Sequence, residues 1–243
     1  METTSPSQIL STLCEQALGL FAGPTLREEV LPDHYAKLQG AIRGHAVTLH
    51  TRRFVGGVWR SLTIATIVRQ ADGELCSLTI VGLPTSSSLL PILGVDLIAL
   101  QGTLSLVAVD LSPTDEQLFV EQASPILQTL LQQAQAVLVP RKRPAFCHDT
   151  FSPLALICAA RPGGELRLGE SIAEFLTQVQ ALCARTTLVV NDDRRQQSAW
   201  QRQRAWLRSE QENRKEANAM SLIFGEQIAS RYLQEFLFEV PHE

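Results

Sequence analysis

Three runs of strand-forming residues stand back to back between His45 and Leu83, joined by tight turns, and they leave the chain few ways to fold. His45–Phe54 is followed by Gly56-Gly57, Val58–Arg69 by Ala71-Asp72-Gly73, and Leu75–Leu83 completes the series. Glycine and Asp-Gly tolerate the positive backbone angles of short hairpin turns, so strands adjacent in sequence become antiparallel neighbours. Two more strands are predicted near 95–100 and 104–111, separated by Gln101-Gly102. After Ser112-Pro113 the apolar period lengthens to that of a helix. Leu118, Phe119, Ala123, Ile126, Leu127, Leu130, Leu131 and Ala134 predict one helix over 115–138, ended by Val139-Pro140. Further helices are predicted over 6–22, 169–187, 193–218 and 219–238, with a strand over 152–160 and a turn-rich stretch to about residue 44. Ser5 or Pro6 starts the first helix, and Gly23-Pro24 stops it. Strands clustered first and helices last predict an α+β fold, a three-layer α/β/α sandwich with a central antiparallel sheet flanked by helices. The 243 residues are read as one domain spanning 1–243.

Composition excludes several function classes. With 45% hydrophobic residues the chain can bury a sizeable core, and its net charge of −4 gives no basic surplus for nucleic acid. No apolar run reaches the length of a membrane helix. Met1-Glu2-Thr3-Thr4 lacks the basic region and apolar core of a signal peptide. Cys14, Cys76, Cys147, Cys158 and Cys183 are scattered, odd in number and never spaced C-x-x-C. A reduced cytoplasmic protein with buried thiols is expected.

The usual cofactor signatures are missing as well. There is no G-x-G-x-x-G and no Walker loop, and Gly163-Gly164 reads as a turn. His34, His45, His50, His148 and His242 form no metal-binding pattern, and no iron–sulfur spacing exists. His45 and His50 are five apart and point to opposite faces of one strand. Adjacent Cys147-His148 suits a structural role better than a nucleophile–base pair. A redox enzyme of this composition would draw its electrons from outside.

One acid stands out against this background. Asp96 lies inside the apolar segment Leu90-Pro91-Ile92-Leu93-Gly94-Val95-Asp96-Leu97. Burial disfavours the charged carboxylate and raises its pKa, so such an acid can hold a proton near neutral pH and donate it. On the second strand Leu62, Ile64 and Val68 share the core face, while Ser61, Thr63 and Ala65 share the other. Ser77, Thr79 and Val81 share a face of the third. A sheet face of such small residues either receives a flat ligand or packs under a helix, the commoner arrangement. Arg52, Arg53 and Arg60, the loop Arg141-Lys142-Arg143, and the helical Arg194, Arg195, Arg202, Arg204 and Arg208 form local basic clusters. Each is a solvated face by default, or a docking surface for a small acidic partner.

Four spaced segments carry a family resemblance. They are Leu90–Leu97, Val109-Asp110-Leu111-Ser112-Pro113, the F-S-P-L-A-L…A-R-P stretch over 151–162, and the I-F-G-E…R-Y-L-Q-E-F-L-F-E-V stretch over 223–240. In this order they resemble the ferredoxin-dependent bilin reductases, with the likeness running over roughly 45–240. The resemblance implies a central antiparallel sheet between helical layers. It implies an oxidoreductase that reduces biliverdin or a related linear tetrapyrrole on its CH–CH groups by a radical route. Electrons come from reduced ferredoxin, with no bound cofactor, no metal, no nucleic acid, no membrane and a monomeric chain.

Residue by residue, Asp96 falls on the family's proton-donating aspartate. Thr79 falls where phycocyanobilin-forming members carry histidine and several phycoerythrobilin-pathway members asparagine. Thr63 falls where the former carry a glutamate used on the outer vinyl group. Arg214 falls where many members have a second catalytic aspartate. Asn213 and Lys215 fit the surrounding helical segment, and Lys215 and Arg161 are placed to meet the two propionates through charge-assisted hydrogen bonds. Hydroxyls at 63 and 79 cannot act as acids. The resemblance with these departures points to a single two-electron reduction giving 15,16-dihydrobiliverdin, with Asp96 as proton donor. Four-electron reduction to phycocyanobilin or phycoerythrobilin, a bilin-binding protein without activity, and a red chlorophyll catabolite reductase-like enzyme are the alternatives. The C-terminal helix resembles the phycocyanobilin-forming branch.

Overall fold

A computed structural model describes residues 4–21, 25–186 and 192–241. The expected stop at Gly23-Pro24, Thr187 at the expected end of a helix, and His242 lie outside these residues. Helix α1 is Pro6–Phe21. Ser5 caps it reciprocally: its hydroxyl accepts from the Gln8 N–H at 3.2 Å, and the Gln8 side chain accepts from the Ser5 N–H at 2.7 Å. The stretch read as turn-rich contains regular elements that the sequence reading did not place: β1 (Arg27–Glu28), α2 (Asp33–Ala36) and β2 (Lys37–Ile42). β2 carries too few apolar residues to announce itself. Its strand character comes from pairing with β3 (His45–Gly56) over six residues.

The meander then runs as predicted through β4 (Trp59–Arg69), β5 (Leu75–Pro84), β6 (Ile92–Leu100) and β7 (Thr103–Ser112). Gln101 and Gly102 close the last hairpin with φ of 54° and 74°. Two positive angles in succession match the right-handed strand twist, which is why glycine stands there. The predicted helix over 115–138 is three consecutive segments, α3 (Glu116–Leu118), a π-helical stretch (Phe119–Ala123) and α4 (Ser124–Ala134), and it stops short of the expected end, because Leu138, Val139 and Pro140 pair as an edge strand instead. β8 (Leu138–Pro140) and β9 (Leu156–Ala160) complete a nine-stranded antiparallel sheet. Its order is β1-β3-β4-β5-β6-β7-β9-β8, with β2 also on β3.

Alternation along the strands divides the core into two. One face buries Leu62, Ile64, Leu78, Ile80, Val95, Leu97, Val107 and Val109 against α1, α4 and α5 (Glu165–Arg185). The other face is covered by the C-terminal layer: α6 (Asp193–Gln211), α7 (Arg214–Phe224), α8 (Glu226–Ser230) and a π-helical stretch, Arg231–Leu237. The three-layer α/β/α expectation holds. The small-residue face therefore does pack under helices.

Two predicted helices are broken. The one over 193–218 stops at Gln211 and restarts at Arg214, because Asn213 accepts the Glu216 N–H at 3.3 Å and begins a new helix. The one over 219–238 breaks at Gly225, whose φ of 88° no helix accommodates. The strand expected over 152–160 begins only at Leu156, since Asp110 captures the chain before it. Asp110 is 2% exposed. It accepts from the Ser112 hydroxyl at 2.6 Å, the Ser152 N–H at 2.9 Å and the Ser152 hydroxyl. Two of the segments that carry the family resemblance thus meet at one carboxyl. Asp110→Ala strands these donors in the core and is expected to cost about 3 kcal/mol. Urea unfolding tests this, and an unchanged midpoint would mean the loop is held by other contacts.

Candidate active site

Strand register lines up one transverse row across the sheet: Thr51, Ala65, Thr79, Asp96, Ala108 and Ile157, each opposite the next. All face the C-terminal layer. The row is small or polar except at its end, so Asp96 stands clear of bulky neighbours. The adjacent row runs Arg53, Thr63, Val81, Gly94 and Asp110. A Cβ placed on Gly94 would meet nothing within 4 Å, so open space lies beside Asp96 on this face.

Thr79 donates its hydroxyl hydrogen to Asp96 Oδ1 at 3.1 Å. Burial lifts the Asp96 pKa to about 6, with the Thr79 hydrogen bond opposing. Across a cavity of about 40 Å³, Glu216, Met220, Tyr232 and Leu233 face Ser77 and Thr79. Tyr232 is anchored to the row through a 2.8 Å hydrogen bond between its hydroxyl and that of Thr51.

Glu216 is the functional candidate that the sequence reading missed. It accepts from Asn213 Nδ2 at 3.1 Å. Burial first, and then the charge of Asp96, push its pKa up to about 8, with the Asn213 hydrogen bond opposing. Glu210, 7% exposed, is raised too, by burial and then by Glu216 and Asp96. Three carboxyls this close in low dielectric cannot all ionise near neutral pH, so protons are stored here. The signal was present as Asn213-x-x-Glu216, a helix-start pattern that turns the glutamate back toward its cap.

The other expected residues scatter. Asn213 joins Asp96 and Thr79 through Glu216. Thr63 lies one row away, 2% exposed, accepting from Arg53 Nε at 3.2 Å. Lys215, like Arg214, is exposed on the first turn of α7. Arg161 is exposed at the end of β9, two strands from that of Asp96, with Nε donating to the Leu138 carbonyl at 3.1 Å. The fold brings neither cation to Asp96. Some expected docking residues have local partners: Arg52 with Glu28, Arg195 with Asp115, and Arg202 with Glu116. Among the described residues no group of three or more His, Cys, Asp or Glu could hold a metal ion, and no helix is long and apolar enough to cross a membrane.

Comparison with known proteins agrees with this fold. The fold matches phytochromobilin synthase from tomato, solved in complex with biliverdin, at a TM-score of 0.78 and 17% identity, covering 97% of this chain and 85% of that one. Phycocyanobilin:ferredoxin oxidoreductases of Synechococcus sp. and Synechococcus elongatus are each 24% identical over 223 residues, 88% of this chain and 84% of theirs. The sequence model of the ferredoxin-dependent bilin reductases matches residues 19–239. A chain matched over nearly its whole length, folded as that sheet between helices, belongs to the ferredoxin-dependent bilin reductases, oxidoreductases that act on CH–CH groups with ferredoxin as electron donor.

Proposed function

We propose that this enzyme reduces biliverdin by two electrons to 15,16-dihydrobiliverdin, with Asp96 and Glu216 as its proton donors. The observation that carries the reading is a pair of carboxyls with raised pKa: Glu216 lines the cavity, and Asp96 is hydrogen-bonded to Thr79 in its wall and close enough for its charge to raise the Glu216 pKa. Saturating one double bond takes two electrons and two protons. Reduced ferredoxin supplies the electrons one at a time, and each carboxyl supplies one proton. Asp96 protonates the pigment early, which makes it a better electron acceptor; the first electron gives a neutral radical, the second a closed-shell anion, and Glu216 protonates that anion at carbon to complete the reduced bond. Thr79 holds Asp96 in position, and Asn213 holds Glu216.

A cavity of about 40 Å³ is far below the roughly 300 Å³ minimum of a small-molecule site. Seating a tetrapyrrole therefore requires the C-terminal layer to shift outward, and the breaks at Asn213 and Gly225 are its natural hinges. Arg208, Arg214 and Lys215, exposed around the α6–α7 junction just outside the carboxyls, are the surface we assign to ferredoxin. Five free cysteines fit work in the reducing cytoplasm, with Cys147, Cys158 and Cys183 buried as expected but Cys14 and Cys76 only partly covered.

The test is an absorbance titration with biliverdin, followed by anaerobic turnover with reduced ferredoxin and identification of the product. Dihydrobiliverdin is expected. Accumulation of a phycobilin would replace this reading with four-electron reduction, for which Glu216 supplies the second acid that Arg214 cannot. Tight binding with no product would make the chain a pigment-binding protein.

A further inference from the structure

Beside the cavity lined by Thr79 and Glu216 lies a second opening on the same sheet face, a cleft of about 160 Å³. The two share Leu237 as a wall. The outer cleft is too small for a tetrapyrrole but has room for a carboxylate on a short methylene chain. Two arginines line it, Arg53 on β3 and Arg60 on β4. Both are half-buried, and no ion pair among the described residues includes either. Two guanidinium groups drawn out of water without a bound counter-charge are an expensive arrangement unless an anion joins them.

The individual donors support this. Arg53 is fixed in place: Nε donates to Thr63, one terminal nitrogen donates to the Phe236 carbonyl at 2.7 Å, and the guanidinium lies 3.7 Å from the Phe236 ring centre. Arg60 donates once, to Gln203 Oε1 at 3.1 Å, and its guanidinium stands 5.5 Å from the Trp200 ring centre. Its Nε–H is buried and has no hydrogen-bond partner. A buried donor without an acceptor is destabilising, and a carboxylate oxygen would satisfy it. Glu29 and Glu239 also line the cleft and offset part of the positive charge. Neither comes within ion-pair distance of these arginines, and Glu239 is exposed enough to swing into solvent.

We infer that Arg53 and Arg60 form a carboxylate-binding subsite that takes a propionate side chain of the substrate while its conjugated body occupies the cavity beside Thr79 and Glu216. The inference rests on the bilin reading above and moves the propionate contact away from Arg161 and Lys215. Arg53 is the fixed half of the clamp and Arg60 the half with a donor to spare. The site serves affinity and placement, and no proton passes through it.

Biliverdin and its dimethyl ester, which lacks the carboxylates, separate this role from a structural one. Arg60→Gln is expected to weaken biliverdin binding about tenfold, the loss of one charge-assisted hydrogen bond at a partly solvated site, and to leave ester binding unchanged. Equal loss for both ligands in a variant that melts with the wild type would overturn the inference. So would no loss for either. Should Arg60→Gln melt early, Arg60→Lys, which keeps stem and charge but not the planar fork, carries the same comparison. If the wild type binds neither pigment, the bilin reading fails, and succinate then decides the subsite alone. The arginine Nε–H resonance that Arg60→Gln deletes must shift on adding succinate to wild type, and a stationary resonance refutes the site.

Discussion

Replacing Asp96 by asparagine should lower biliverdin turnover about a hundredfold to ten-thousandfold, the usual worth of a positioned proton donor, and leave pigment binding nearly intact. The substitution is nearly isosteric, and the amide oxygen can still accept the Thr79 hydroxyl that now bonds Oδ1. What disappears is an acidic proton held near neutrality by burial. The assay is anaerobic turnover with reduced ferredoxin, beside an absorbance titration of the same protein. A variant that turns over within twofold of wild type would remove Asp96 from the chemistry. Loss of binding alongside turnover would make it a structural acid like Asp110.

Glu216→Gln should move the pH profile as well as the rate. In the wild type the two carboxyls release their protons near 6 and near 8. The proposed sequence needs both donors protonated, so wild-type activity falls about tenfold per pH unit above about 6, where Asp96 titrates, and about a hundredfold per unit above about 8, where Glu216 follows. Glu216→Gln removes the second step, so above about pH 8 its profile keeps the tenfold slope of Asp96 alone. Asp96→Asn removes the first step. The charge that helps hold the Glu216 pKa up is then gone as well, so the remaining limb lies below about 8. An alkaline limb unmoved in both variants would show that neither carboxyl controls the proton supply.

Stability gives an independent reading of Glu216. Its folded pKa, about 8, lies above the ordinary 4.5. The folded state therefore holds a proton that the unfolded chain releases, and folding is favoured at low pH. This contribution is full below about 4.5 and is lost as pH rises toward 8. Glu216→Gln cannot lose it, so at pH 8 the variant should melt about 5 °C above wild type, with the gap closing by pH 5. A constant gap would mean the glutamine merely packs better.

How legible each part was depended on the range of the interactions behind it. The meander from β3 to β7 could be read because hairpin register is set within a dozen residues, by turns and by a period of two. The same periodicity put Asp96 and Thr79 on one face, and the register then made them direct neighbours. β2 was not legible, because its pattern is weak and its partner strand stabilises it. The helix break at Asn213 was legible in principle through its capping pattern, but helical periodicity on both sides concealed it. Arg53 and Arg60 looked like ordinary surface cations until the C-terminal layer covered them.

The sequence by itself thus determined the central strands of the sheet, the helical layers and the acid Asp96 among those strands, all of which local patterning specifies. Only the tertiary structure decided which residues meet that acid. Glu216 is 120 positions further along the chain, and its approach depends on how α6 ends, how α7 begins and how the layer docks on the sheet. Those are long-range packing outcomes with no local periodic signature. They place a second carboxyl opposite Asp96 and draw a pair of arginines into the cleft beside it.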